Sequence, residues 1–429
     1  MIAAPTASAL TSGGGRIRLS FYGNLPDFIL QYLMERLAES GFLQQLRERL
    51  IYVPWRNCAG ARQIQRQISI VCSRRPAGQK HRFLKERNMS IRVPFEKLED
   101  TIYKAFVKAG MPEDKARTCA HIHASSSADG VESHGANRVP RFVDYIGKGW
   151  VDVNAVPEKV GSKGAVENYD GHTGPGITNA LFCADRAVEL AKEHGIGLVT
   201  LRNTTHWMRG GTYAWKMAEK GFVGISWINT ESCMPLWGSD EQSVGNNPFC
   251  MAVPRQNGEI VLDMAMSQYA YGKLGVYRLA GKQLPYPGGF DKEGNLTSDP
   301  GSIEESGRIL PTGYWKGSSM AIVLDLIASG LAGGFTGSDM DDQNKGSCTN
   351  CCQIFIAIDP YLAGTMEEVQ GKWDARVKRA DEAHPLNEAH PVSCPGEGTI
   401  RRRKDNMKNG VQVNEEIWAE ICRLAGVEE

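Results

Sequence analysis

Hydrophobic residues change period several times along this chain, and each change marks an element. Phe95, Leu98, Ile102 and Phe106 recur at helical spacing and stop at Gly110, a residue suited to closing a helix. Pro112-Glu113-Asp114 opens a second helix, with a proline that needs no donor there and two acids at the positive end of the dipole. A third helix is expected over Thr178–His194, closed by Gly195, and the apolar run Gly197–Leu201 follows as a strand. Gly224–Ile228, Ile260–Met264 and Ile354–Ile358 read as further strands, Met320–Leu331 and Glu367–Ala380 as further helices. Strands interleaved with helices give an α/β protein.

The first 88 residues differ. Gly13-Gly14-Gly15, the arginine-rich stretch Arg56–Arg75 and Lys80–Arg87 make no clear succession of packed elements; Ile29–Leu50 is amphipathic, interrupted at Gly41. This segment carries 14 basic and 5 acidic side chains, against 35 and 44 in residues 89–429. Residues 1–88 are therefore expected to be a basic N-terminal extension outside the fold, with translation beginning at Met89. The codons of Lys85-Glu86 can spell a ribosome-binding sequence just upstream. A transit peptide and a loosely ordered basic tail are the alternatives. The acidic body excludes nucleic acid as a partner, because phosphate neutralisation needs clustered Lys and Arg.

Eleven cysteines, an odd number without a regular framework, favour reduced thiols in the cytoplasm. No run of about 18–20 apolar residues offers a membrane span. The best stretch, Met320–Phe335, is broken by Asp325 and several glycines.

Common nucleotide signatures are absent: there is no G-x-G-x-x-G and no G-x-x-x-x-G-K-[ST]. Four other segments carry chemistry. Ser133-His134-Gly135-Ala136-Asn137-Arg138 sets a histidine suited to general-acid work four residues before an arginine suited to gripping a carboxylate. A helical turn there would put His134 and Arg138 on one face; His134 capping the preceding helix is the alternative. Asn203–Gly211 follows a strand and holds His206 beside the pair Gly210-Gly211, which would let the backbone approach a ligand. A structural histidine in a tight loop is the alternative. Lys316, in Gly313-Tyr314-Trp315-Lys316-Gly317-Ser318, stands at a helix start, where a cation and backbone N–H groups suit an anion. Pro395-Gly396-Glu397-Gly398 is a tight turn of similar potential, with ordinary turn chemistry the competing reading of both. No metal is expected: Cys348-x-x-Cys351-Cys352 lacks a second ligand pair, and His121-x-His123 splays its side chains apart on a helix.

Ser133–Phe142, Gly195–Thr230, Tyr277–Asp291 and Ile309–Asp325, in this order, resemble the malate/L-lactate dehydrogenase-like family, nicotinamide-dependent oxidoreductases distinct from Rossmann enzymes. The resemblance runs from Met89 to the C-terminus. It implies a non-Rossmann NAD(H)-binding α/β fold with a mixed sheet and flanking helices. The implied reaction is NADH-dependent reduction of a 2-keto acid, an open-chain 2,3-diketo sugar acid foremost. His134 would be the proton donor with Ser133 and Arg138 beside it, and His206 a second acid–base candidate. Cofactor contacts map to Glu259, Ile260, Val261, Leu262, Asp263, Met264 and Ala265, to Trp315 and Lys316, and to Gly396, Glu397 and Gly398. NAD(H) is expected ahead of NADP(H), in a homodimer with sites near the subunit interface. Malate, lactate or ureidoglycolate dehydrogenation and cyclic imine reduction are the sister activities. A catalytically silent ligand-binding paralogue is the alternative of another class.

Overall fold

The computed structural model describes residues 7–12, 16–21, 67–69, 90–345, 349–388 and 391–428. They fall into two compact units, residues 1–85 and 86–429. In the first, Ala7–Ser12 pairs antiparallel with Arg16–Phe21, which pairs antiparallel with Gln67–Ser69. These strands went unexpected in a segment read as lacking packed elements. Met89, the helix expected over Ile29–Leu50 and Cys348 lie outside the described residues.

The second unit has seven strands in one sheet: β1 (Glu158–Lys163), β2 (Val166–Asp170), β3 (Ile196–Thr204), β4 (Val223–Ile228), β5 (Phe249–Val253), β6 (Ile260–Met264) and β7 (Cys351–Ile358). Its helices are α1 (Phe95–Lys108), α2 (Glu113–Ala128), α3 (Val139–Gly147), α4 (Gly176–His194), α5 (Gly211–Glu219) and α6 (Tyr271–Leu279). They continue with α7 (Pro300–Ser306), α8 (Trp315–Ala332), α9 (Gly337–Gln343), α10 (Met366–Asp381), α11 (Glu397–Asn409) and α12 (Glu415–Ala425).

The sheet runs β6-β5-β4-β7-β3-β2-β1. Its neighbours are antiparallel except β2 and β3, which are parallel and joined through α4. This is the mixed sheet that the family resemblance implied. A Rossmann fingerprint serves the turn between parallel strand and helix in a doubly wound sheet, so its absence from the sequence agrees with this topology.

Central β7 is buried on both faces, which explains the apolar run Ile354–Ile358; Gln353 before it, also buried, donates to the Thr205 carbonyl at 3.2 Å. Ala184, Ala187, Tyr213 and Met217 of α4 and α5 cover one face with Leu201 and Phe355. Ala321, Leu324 and Ala328 of α8 cover the other with Trp227 and Ile354. A separate helical layer packs Leu98, Ile102, Phe106, Phe142 and Ile421 together. Ile177 and Met208 join that layer's core, so the loop after β3 is clamped between helices and sheet.

Most expected elements fall within a few residues of their observed bounds. α8 starts five residues early because Gly317 and Ser318 are buried and helical, and β3 continues to Thr204. Six of the eight described cysteines are buried. Among the described residues no single helix is long and apolar enough to cross a membrane; α8 and α9 qualify only together, across an 80° bend.

Candidate active site

α2 ends at Ala128 with Asp129 as its C-cap, so His134 does not cap that helix. Nor does one helical turn join His134 to Arg138. Residues 132–134 and 136–138 form two tight turns broken at Gly135, whose backbone sits at φ −107°, ψ −127°. Helix α2 holds this loop from beneath. His123 Nδ1 donates to the Gly135 carbonyl at 3.0 Å, and Ser127 Oγ accepts the Ala136 N–H at 2.8 Å. A Cβ at position 135 would stand 2.1 Å from Ser127 Oγ, so glycine is required by the close approach. His121, two residues before His123, points outward to Glu99, which is the splay expected of that spacing.

His134 Nδ1 and Ser133 Oγ share a hydrogen bond of 2.9 Å, leaving Nε2 for a ligand. The His134 ring stacks on that of His206, centroids 5.6 Å apart. His206 Nδ1 accepts the Met208 N–H at 2.8 Å, which fixes its neutral form as the Nε2–H tautomer. Burial, then the charge of Arg138, hold His134 down to about 4; Asp263 pulls upward and Arg209 downward. Burial and Arg138 push His206 well below the usual imidazole range. A cavity of about 10 Å³, lined by Arg138, Arg141, Tyr145, Thr205 and His206, opens beside the pair.

Edge strand β6 gathers the remaining segments along its length. At its start the Val261 N–H donates to the Pro395 carbonyl at 3.0 Å, seating the turn that opens α11. Gly396 has φ +98°, and a Cβ there would stand 3.1 Å from Val261 N; glycine answers both demands. Glu259 Oε2 accepts from Trp215 Nε1 at 3.2 Å. Ile260, Leu262, Met264 and Ala265 are half-buried, and Val261 is buried. Beyond the strand, the Met266 carbonyl accepts the Thr312 N–H at 2.8 Å, which brings the start of α8 alongside, with Trp315 and Lys316 exposed. α6 opens against the proton-donor candidate's neighbour: a Cβ at Gly272 would stand 2.7 Å from Ser133 Cβ. No side chain caps α8 or α11; backbone carbonyls accept the Lys316, Gly317, Glu397 and Thr399 N–H groups instead, so Lys316 and the turn Gly396-Glu397-Gly398 stand at two helix starts closed largely by backbone.

Asp263, midway along β6, lies near enough for its charge to act on His134, and it marks a correction. The pair Gly210-Gly211 does not open the backbone to a ligand. A Cβ at Gly211 would stand 2.6 Å from Asp263 Oδ2, and one at Gly210 would meet Trp207 and Cys250. The glycines admit the Asp263 carboxylate and the core instead. Asp263 accepts from Arg209 Nε at 3.2 Å and from Cys250 Sγ at 3.3 Å. Arg209, itself buried, also pairs with Asp129. Ser127 and Asp129 escaped notice, and His123 was weighed only as a metal ligand with His121, because α2 and its cap carry no motif; only the oddity of polar residues spaced for a buried face signalled them. One set of close donors among the described residues, Asp381, Cys394 and Glu397, has metal-ligand chemistry, and it adjoins the α11 turn rather than His134.

Comparison with known proteins adds an independent line. A family model described as malate/L-lactate dehydrogenase matches residues 93–422. The chain is 42% identical over 340 residues to a 2,3-diketo-L-gulonate reductase of Citrobacter koseri, covering 78% of this chain and 100% of that protein. Its fold matches malate dehydrogenase from Pyrococcus horikoshii OT3, with TM-score 0.72 and 26% identity, covering 80% of this chain and 97% of that one. It also matches delta1-piperideine-2-carboxylate reductase from Pseudomonas syringae, with TM-score 0.70 and 26% identity, covering 78% and 99%.

Proposed function

The chain belongs to the malate/L-lactate dehydrogenase family of oxidoreductases, and we propose that it reduces a 2-keto acid with NADH, His134 donating the proton. The preferred substrate is 2,3-diketo-L-gulonate or a similar 2-keto sugar acid, because the relatives of that name are 42% identical while the malate and cyclic imine enzymes are 26% identical. We assign the activity to residues 89–429, within which the family match at 93–422 falls. NADH rather than NADPH, and a cytoplasmic setting where that cofactor is available, complete the reading.

The carrying observation is the convergence of sequence-distant segments along β6, whose Asp263 acts electrostatically on His134. The residues present suit a dinucleotide. Backbone carbonyls take up the N–H groups of Lys316, Gly317, Glu397 and Thr399, which leaves those of Trp315 and Gly398 for phosphates at the two helix starts; Lys316 adds a cation, and the Gly396 turn lies flat against β6 where a side chain would intrude.

When bound, a reduced nicotinamide supplies hydride to the carbonyl carbon. Arg138 holds the substrate carboxylate. Burial first, then the charge of Arg138, keep His134 neutral; the carboxylate offsets the second, so the imidazole takes up a proton at Nε2 as substrate arrives. His134 then delivers it to the carbonyl oxygen. Ser133 fixes the ring through Nδ1, and Asp263 favours its charged form. His206, with Nε2–H free, orients the same oxygen as a neutral donor.

A homodimer forms through α8. Met320, Val323, Leu326, Ile327 and Leu331 are 39–61% exposed and make one apolar stripe. A contiguous stripe of this kind marks an interface. Trp315 and Lys316 begin the same helix, which puts a cofactor segment at the edge of that interface.

Absorbance of NADH followed with 2,3-diketo-L-gulonate, pyruvate, oxaloacetate and a cyclic imine tests the reading. The diketo acid should give the highest kcat/KM. Consumption with none of the four rejects the function, and a clear preference for another member rejects the substrate.

A further inference from the structure

Asp129, Arg209, Asp263 and Arg403 form an unbroken chain of charge between helix α11 and the His134 site. Arg403 clasps Asp129 through both carboxylate oxygens, Nε to Oδ1 at 2.5 Å and Nη2 to Oδ2 at 2.8 Å. The Asp129 side chain is 3% exposed, and the guanidinium of Arg209, 5% exposed, pairs with it from the other side. Arg209 Nε reaches onward to Asp263 at 3.2 Å. A second route runs through hydrogen bonds to the backbone. Arg402 Nε donates to the Asp129 carbonyl at 3.2 Å, and Asn406 Nδ2 to the Ala128 carbonyl at 2.8 Å. Three residues of α11 thus grip the point where α2 releases the chain toward Ser133 and His134.

The opposite end of α11 is the Gly396-Glu397-Gly398 turn seated on β6. One rigid helix therefore touches the proposed cofactor segment at its start and the Asp129 junction near its middle.

We propose that Arg209 is a positioning residue that couples the Gly396 turn to His134, relaying shifts of α11, through Arg403 and Asp129, to the Asp263 carboxylate. Its guanidinium is shared between two carboxylates. Whatever Arg403 takes from Asp129 changes how much of Arg209 remains to neutralise Asp263. The charge that meets His134 from β6 follows. The other titratable and charged groups around His134 are Arg138 and Arg209 from the flanking loops, His206 from the loop after β3 and His123 from α2. Of these, Arg209 is the group linked to α11, through the Asp129 carboxylate that Arg403 holds. The coupling to cofactor rests on the functional reading above; the electrostatic relay does not.

The test is an NMR titration of the His134 imidazole, identified by its loss in His134→Ala, in the full chain without ligands. Arg209→Gln should raise the His134 midpoint by about 1–3 pH units, since Asp263 then acts unopposed. Asp129→Asn should move it the other way, because Arg209 turns its full charge toward Asp263. Opposite shifts from two disruptions of one ion pair cannot come from generic loosening. Arg403 is 39% exposed, so Arg403→Gln keeps the test open should a buried variant fail to fold; it should raise the midpoint by less. Adding NADH should shift the wild-type midpoint and leave that of Arg403→Gln in place. A His134 midpoint unchanged in both folded Arg209→Gln and Arg403→Gln overturns the relay. Failure of the wild-type chain to turn over any 2-keto acid would sink the functional reading and leave the ligand-free titrations standing.

Discussion

The rings of His134 and His206 lie stacked, centroids 5.6 Å apart and planes inclined by 29°. Two imidazolium ions at that distance, beside Arg138, would repel strongly, so at most one ring is charged at a time. The Met208 N–H resolves which: it occupies Nδ1 of His206 and keeps that ring neutral. His206→Ala should leave the buried Met208 N–H without a partner, costing about 1–3 kcal/mol. His206→Asn, whose Oδ1 takes the place of Nδ1, should recover most of that stability but not kcat/KM. Melting temperature and steady-state kinetics on both variants separate the two roles.

Proton uptake is a second consequence. His134 sits near 4 in the free site, so it is neutral at pH 7. A substrate carboxylate on Arg138 should raise it, and binding should draw about one proton from solvent. Calorimetry of substrate-analogue binding in buffers of different ionisation enthalpy measures this number directly. The reductive kcat should fall as pH rises through the bound-state value. Arg138→Gln removes the depressing charge, so His134 should titrate closer to the usual imidazole range while KM for the keto acid rises.

His123 gives the fold a pH limit. It is fully buried, donates to the Gly135 carbonyl, and is held near 4 chiefly by burial. The unfolded chain binds its proton near pH 6.5 and the folded chain only near 4, so stability is complete above the first value and is lost as pH falls toward the second. His123 alone accounts for roughly 3 kcal/mol of that loss. Urea melts at pH 7 and pH 4.5 should show it, and His123→Gln should flatten the dependence.

Leu326, 61% exposed in the middle of the α8 stripe, tests assembly. Leu326→Glu should shift the particle in light scattering from twice the chain mass to once, without lowering helix content. A wild-type monomer at micromolar concentration would rule out the homodimer.

The periodic elements were legible because burial wrote them: apart from Asn179 and Gln353, the inward positions of α4 and β7 are apolar or small. α11 was not, since it is held by Arg402, Arg403 and Asn406 rather than an apolar face, and only Asn406 is buried along it. β1 escaped for the same reason, an exposed edge strand of polar residues. At the site, His134, His206 and Lys316 announced themselves beside glycines. Asp129 did not, nor did the role of His123 beneath Gly135, because their partners are 80 and 12 residues distant in sequence, and only the fold joins them. Gly210 and Gly211 pointed correctly to a close approach but not to what approaches.

The most direct measurement is single-turnover oxidation of bound NADH by 2,3-diketo-L-gulonate in wild type and His134→Ala, with the NADH Kd of each taken from fluorescence. Loss of about 10²–10⁴-fold in the rate with an unaltered Kd is the expected result. A His134→Ala chain that oxidises NADH at the wild-type rate would contradict the assignment of this imidazole as proton donor.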